Sequence, residues 1–180
     1  MAGRIIVLAG PPGAGKSTTA RSLAATFESA VHLHTDDFWR YIVSGGVPPF
    51  RPEADAQNHT VMDVVAGAAA AYAQGGFAVI VDGVVGPWML HHFGSARARH
   101  GHPALDYIVL RPSRAVTLDR AQGRNAPDAL VDEAPLVSMW EQFADLGVLE
   151  SHVLDTTSQR PADTLNAVLN GLSSGQFGMT

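Results

Sequence analysis

The chain has 180 residues, 46% of them hydrophobic and 16% charged, with a net charge of −5 and no cysteine. That balance describes one folded domain, lacks the basic surface that non-specific nucleic-acid binding needs, and excludes disulfides and cysteine-based catalysis or metal binding. No apolar run approaches the roughly 18 residues of a membrane span, and the first is too short for a signal peptide, so a cytoplasmic protein without membrane contact is expected.

The first element is a short apolar strand over Arg4–Ala9. It runs into Gly10-Pro11-Pro12-Gly13-Ala14-Gly15-Lys16-Ser17, which fits the phosphate-binding loop G-x-x-x-x-G-K-[ST]. Lys16 is the only lysine, and the other eleven of the twelve basic residues are arginine. A helix is predicted over Lys16–Phe27, with Ala20, Leu23, Ala24 and Phe27 at helical spacing. Strand, loop and helix together are the context the motif needs. Glycines let backbone N–H groups converge on an anion, and the helix adds the positive end of its dipole. Residues Gly10 to Thr18 are therefore the expected nucleotide-binding set, with Lys16 on the β- and γ-phosphates and the Ser17 hydroxyl on Mg²⁺.

The second strand, Val31–Thr35, leads into Asp36-Asp37-Phe38-Trp39. In open α/β sheets ligands bind beyond the carboxyl ends of the strands. One of these carboxylates suits a Mg²⁺ site, assigned to Asp36. The other, Asp37, suits proton removal from an attacking hydroxyl, or its positioning. The alternative is an aspartate that only caps the following helix. Gly45–Pro52 reads as a loop. Trp39, Arg40, Arg51, Asn58 and, further on, Trp88 are the expected lining of a small-molecule pocket; for Phe38 and Trp39 a place in the core is equally open.

A helix over Ala54–Gln74 precedes a third strand, Phe77–Val81, which ends in Asp82-Gly83. An apolar strand ending in aspartate beside a P-loop suits the Mg²⁺ shell, so Asp82 joins Ser17 and Asp36 as a metal residue. Gly83 and Gly86 are expected to leave room for a substrate. A weaker helix near Trp88–Ala98 and a fourth strand over Leu105–Leu110 follow. Arg111, Arg120 and Arg124, flanking a polar segment with Gly123 and Pro127, read as a lid over about residues 120–134 that would bring guanidinium groups onto a transferring phosphoryl. Helices over Arg114–Arg120, Pro135–Asp145 and Ala162–Leu172, a last strand at His152–Leu154 and a frayed tail from Gly171 complete the prediction. The eight histidines show no metal-binding spacing and read as surface residues. Strands alternating with helices imply a single α/β domain, residues 1–172, built on a parallel sheet.

With these residues assembled, the chain resembles the small P-loop kinases of the gluconate kinase, shikimate kinase and chloramphenicol phosphotransferase type. It is especially similar to bacterial AAA-type, zeta-toxin-like ATP-binding proteins without an assigned substrate. Gly10–Ser17, His34 to Trp39, Val81-Asp82-Gly83 and Phe143 to Gly147 carry the resemblance. It implies a P-loop NTPase three-layer sandwich, with a five-stranded sheet in the order 2-3-1-4-5, helices on both faces and a small lid. It further implies ATP and Mg²⁺ as cofactors and γ-phosphoryl transfer to a small hydroxyl-bearing acceptor. Lys16, Asp37, Arg120 and Arg124 take the catalytic places, and the adenine rests on the loop from Thr156 to Pro161. The arginine-rich acid-binding set of a shikimate kinase is not recognisable, and Arg40 with Arg51 is a thin substitute.

Two other readings stand beside this one: a nucleoside or nucleotide kinase with a base-sized pocket near Trp39, Tyr41 and Phe50, and an ATP-binding regulatory or toxin-like module without a small-molecule acceptor. A guanine-specific switch is excluded, because its Asn-Lys-x-Asp motif needs a second lysine. No nucleic-acid partner is expected, and the chain is read as a monomer or homodimer.

Overall fold

A computed structural model describes residues 3–123 and 130–179. Five strands form the parallel part of one sheet: β1 Arg4–Ala9, β2 Ala30–His34, β3 Ala78–Gly83, β4 Ala104–Leu110 and β5 Val153–Leu154. Their spatial order is β2-β3-β1-β4-β5, the order the kinase resemblance implies. Strand β1 lies between β3 and β4, with Arg4 opposite Ala78 on one side and Ala104 on the other. The helices are α1 Lys16–Ala24, α2 Thr35–Arg40, α3 Asp55–Gln74, α4 Leu90–Arg99, α5 Arg114–Gln122, α6 Glu133–Glu141 and α7 Pro161–Ser174.

The central strands read as continuous apolar runs because both of their faces are covered. Alternation decides which residue meets which layer. Ile5, Val7, Val79, Val81, Tyr107 and Val109 pack with α3 and α4, where Val61, Val65, Ala69 and Phe93 are buried. Ile6, Leu8, Ile80, Ile108 and Leu110 face the other way, onto Ala20 and Leu23 of α1 and Val168 and Leu172 of α7. The three layers are helices, sheet and helices. The buried carboxylate of Asp106 on β4 is met by the Arg4 guanidinium at the start of β1, the end of the sheet remote from the phosphate loop.

The tail differs from the frayed segment expected. Helix α7 continues to Ser174, and Gly178–Met179 forms a sixth strand, β6, antiparallel to β4. Strands β5 and β6 share one edge of β4: β5 pairs Val109 and Leu110, while β6 pairs Leu105 and Asp106. Phe177, fully buried, anchors this return. A Cβ on Gly171 would stand 2.0 Å from its ring, so the glycine is the socket for that phenyl group. A two-residue strand carries no periodicity, which is why the sequence pattern hides it.

Candidate active site

The loop from Gly10 to Gly15 joins β1 to α1 at the carboxyl end of the sheet. Gly10 approaches the Leu110 carbonyl so closely that a Cβ there would sit 2.2 Å from the oxygen. Gly15 takes φ +90° as the residue before α1 and has open space around its missing Cβ. An open, left-handed glycine at a helix N-terminus is the geometry of an anion cradle. Lys16 is mostly buried and its Nζ donates to the Pro11 carbonyl at 2.9 Å, across the loop it would serve.

Ser17 donates its hydroxyl hydrogen to Asp82 Oδ2 at 2.5 Å. Strand β3 extends past the expected end, so Asp82 and Gly83 lie within it, and Asp82 faces His34 across the β2–β3 register. The other carboxylate oxygen, Oδ1, is 2.5 Å from His32 Nε2. Burial pushes the Asp82 carboxyl up, and the hydrogen bonds from His32 and Ser17 outweigh that effect, leaving it below its ordinary value. A buried carboxylate kept ionised beside a serine hydroxyl is a hard oxygen donor set, which suits Mg²⁺.

His32 is a site residue that the sequence reading missed. Its signal is the i, i+2 pair His32 and His34, which a strand places on one face. The expectation that all eight histidines are surface residues fails here and at His92 and His152, both buried. His152 Nδ1 is 2.9 Å from the Tyr107 carbonyl oxygen.

Asp36 and Asp37 open α2, directly after β2. Asp36 is exposed, 3.9 Å from His34 Nε2. Asp37 receives a 2.8 Å hydrogen bond from Arg40 and lies 3.5 Å from His34 Nδ1. His34 therefore stands between the aspartate pair and the β2 end of the site, while Ser17, His32 and Asp82 form the directly bonded group. Among the described contacts, none joins Asp36 or Asp37 to Ser17 or Asp82.

The space beside Gly83 and Gly86 is filled by protein, not left for substrate. A Cβ on Gly83 would meet Thr35 Oγ1 at 2.0 Å, and one on Gly86 would meet the Trp88 indole at 2.1 Å. Gly83 thus lets Thr35, in the first turn of α2, approach β3 closely. Trp88 covers Gly86 and lies 6.1 Å, centroid to centroid, from the Phe143 ring.

A cleft of about 220 Å³ adjoins the phosphate loop, lined by Gly15, Thr18, Arg120, Gln159, Pro161 and neighbouring residues. The structure thereby unites the loop, the expected lid arginine and the expected purine loop. Thr156 itself is buried, its hydroxyl without a hydrogen-bond partner among the described residues. Arg124 lies outside the described residues, as does the segment 124–129 of the expected lid. Arg111 is not presented to the crevice. It forms a two-armed ion pair with Glu150, both contacts 2.8 Å, and donates to the Phe143 carbonyl.

The expected acceptor lining divides. Trp39 donates its indole N–H to Asn58 Oδ1 at 2.9 Å, and Asn58 in turn donates to the Pro49 carbonyl. Gln57 bonds both the N–H and the carbonyl of Val47. These amides pin the loop before Pro52 onto α3. A separate apolar hollow of about 350 Å³ lies between α2 and α3, lined by Phe38, Tyr41, Ile42, Gln57, Thr60, Val61 and Val64. Arg40 and Arg51 are exposed beside it in sequence but are not among its lining residues.

A parallel sheet in this order, with a phosphate loop after β1 and an aspartate at the end of β3, defines a P-loop kinase-like fold. A family profile described as an AAA domain matches residues 5–146, and the chain belongs to that family. Solved structures agree in fold. A sugar kinase from Janibacter sp. HTCC2649 superposes with a TM-score of 0.70 at 22% identity, covering 94% of each chain. A gluconokinase from Sinorhizobium meliloti 1021 gives 0.69 at 18% identity, over 97% of this chain and 94% of that one. The Deinococcus radiodurans tunicamycin resistance protein gives 0.68 at 14% identity, over 99% of both chains. No curated protein matches the chain by sequence.

Proposed function

We propose that the protein is an ATP- and Mg²⁺-dependent phosphotransferase that moves the γ-phosphoryl group to a hydroxyl of a small molecule. The observation that carries this reading is the bonded pair Ser17–Asp82 beneath a P-loop whose cleft also holds Arg120. Backbone N–H groups of residues 13–17 and the Lys16 ammonium bind and orient the phosphates. Ser17 and Asp82 would hold Mg²⁺, which would supply charge neutralisation at the phosphates. His32 keeps Asp82 ionised and oriented. Asp37 positions the acceptor hydroxyl and takes its proton, held in place by Arg40. Arg120 neutralises charge developing on the transferred group. Asp36, exposed, serves at most through water in the metal shell. We assign contact with the acceptor to Trp88, Arg40 and Arg51.

If the hollow between α2 and α3 takes the acceptor, its apolar lining favours a molecule with an apolar or aromatic face, so a nucleoside is a second reading. An ATP-consumption screen across sugars, aminoglycoside- and phenicol-like alcohols and ribonucleosides, with Asp37→Asn as control, tests both. Acceptor-stimulated turnover that Asp37→Asn abolishes supports the proposal. ATP binding without stimulation by any acceptor class would instead favour a regulatory module.

A further inference from the structure

Helices α3 and α4 bring three imidazoles together. His59, His91 and His92 each offer a ring nitrogen, and these nitrogens all lie within 4.8 Å of one another. We propose that this trio is a binding site for a borderline transition-metal ion of the Zn²⁺ class, separate from the Mg²⁺ site. The proposal does not depend on the kinase reading.

The hydrogen bonds around the rings are what metal binding requires. A ligating histidine generally donates its second ring N–H to a carboxylate or carbonyl, which fixes the tautomer and orients the ring. His92 Nδ1 is 2.5 Å from Asp63 Oδ1, so that nitrogen carries the proton and Nε2 keeps the lone pair. His91 Nδ1 is 2.9 Å from the Trp88 carbonyl oxygen, which again leaves Nε2 as the donor atom. His59 Nδ1 is 2.8 Å from His92 Nε2, so one proton now bridges the two nitrogens. Asp55 Oδ1 stands 3.7 Å from His59 Nε2 and can accept the N–H when the tautomer changes. Metal then takes the place of the bridging proton, which passes by way of solvent to His59 Nε2, so the ring stays neutral and no net proton is released. All three ligands are neutral nitrogens, as Zn²⁺ and its neighbours prefer and Mg²⁺ does not.

The arrangement is written into helix spacing. Asp55, His59 and Asp63 recur every four residues and stack on one face of α3, opposite the adjacent pair His91 and His92 near the start of α4. Burial grades across the trio: His92 is buried, His59 partly so, and His91 exposed, which gives an ion an entry side. Zn–N bonds of about 2.0–2.1 Å in a tetrahedral site set nitrogens about 3.3 Å apart. The His59–His92 pair, now 2.8 Å apart, therefore opens by about half an ångström. Three protein ligands leave the fourth position to water or an external oxygen donor, the coordination of an open rather than a closed zinc site.

The test is a Zn²⁺ titration of the tag-free, nucleotide-free full chain, by calorimetry and by competition with a chromogenic chelator. One Zn²⁺ per chain is expected. Affinity falls at least about 100-fold in His91→Ala and by about 10–100-fold in Asp63→Asn, which removes only the outer partner. Ser17→Ala, altered at the Mg²⁺ residues, binds Zn²⁺ as the wild type does. Because His91 and Asp63 are exposed, both variants fold, and circular dichroism checks it. Co²⁺ in place of Zn²⁺ gives the intense visible bands of a four-coordinate site, lost in His91→Ala. No saturable uptake, or a loss of less than about tenfold in His91→Ala, overturns the proposal.

Discussion

The Ser17 hydroxyl and the Asp82 carboxylate meet at 2.5 Å, although 65 positions separate them in the chain. The contact forms because β3 lies next to β1 in the sheet, so the residues that follow one strand meet the end of the other. Asp82→Asn keeps the size and one hydrogen-bond acceptor but removes the charge. Acceptor-stimulated ATP turnover is expected to fall by about 10²–10³, within the range for losing one preorganised electrostatic group. The variant's melting temperature separates this loss from unfolding.

Lys16→Ala removes a compact cation that no other lysine in the chain can replace. Its loss should raise the barrier by about 3–4 kcal/mol and weaken ATP binding as well. Single-turnover ATP cleavage and nucleotide titration measure the two effects separately. Wild-type turnover in this variant would remove the phosphotransferase assignment.

Gly83→Ala tests the approach of α2 to the sheet. The new methyl group would meet Thr35 Oγ1 at 2.0 Å, so the start of α2 must move and carry Asp37 with it. Overpacking of this kind costs about 1–3 kcal/mol. Denaturant unfolding should show that loss. Adding Thr35→Ala, which removes two of the clashing atoms, should restore part of both stability and turnover.

Glu150 titrates far from its ordinary range. The Arg111 guanidinium, helped by the Leu146 N–H, lowers its carboxyl from 4.5 to about 2. A folded-state value below the unfolded one stabilises the protein above about pH 4.5, and the contribution is lost as pH falls toward about 2. Arg111→Gln should therefore flatten this part of the acid limb of urea midpoint against pH. An acid limb identical to that of the wild type would show that the pair contributes nothing there.

Phe177→Ala should cost about 3–5 kcal/mol, because a fully buried ring is removed from a socket made by Gly171. Thermal melting measures it. A smaller loss, under about 1 kcal/mol, would mean that the return of the chain after α7 is not part of the cooperative unit.

Legibility followed locality. The P-loop was readable because its chemistry is contiguous, and Asp82 because a strand end beside a P-loop has a restricted meaning. The kinase resemblance implied the order of the five parallel strands, and the hydrophobic runs located them. What escaped depends on partners far along the chain. His32 acquires its role only through Asp82, fifty residues away, and Asn58 reads as a substrate group until Trp39 and the Pro49 carbonyl occupy it. Arg111 resembled a lid arginine for the same reason, since Glu150, 39 positions on and beyond α6, claims it. The histidine trio was hidden because two helices each supply part of it, and neither part has metal-site spacing alone.

Strand β6 runs opposite to β4 and pairs with its opening residues, so the chain leaves the sheet at the end remote from Gly10 and Asp82. A dye, a surface tether or a fused reporter placed after β6 will hang from the back of the molecule and leave the nucleotide crevice facing outward. A shortened version cut before Phe177 would gain no cleaner handle; it would pull out the plug that closes the second core layer.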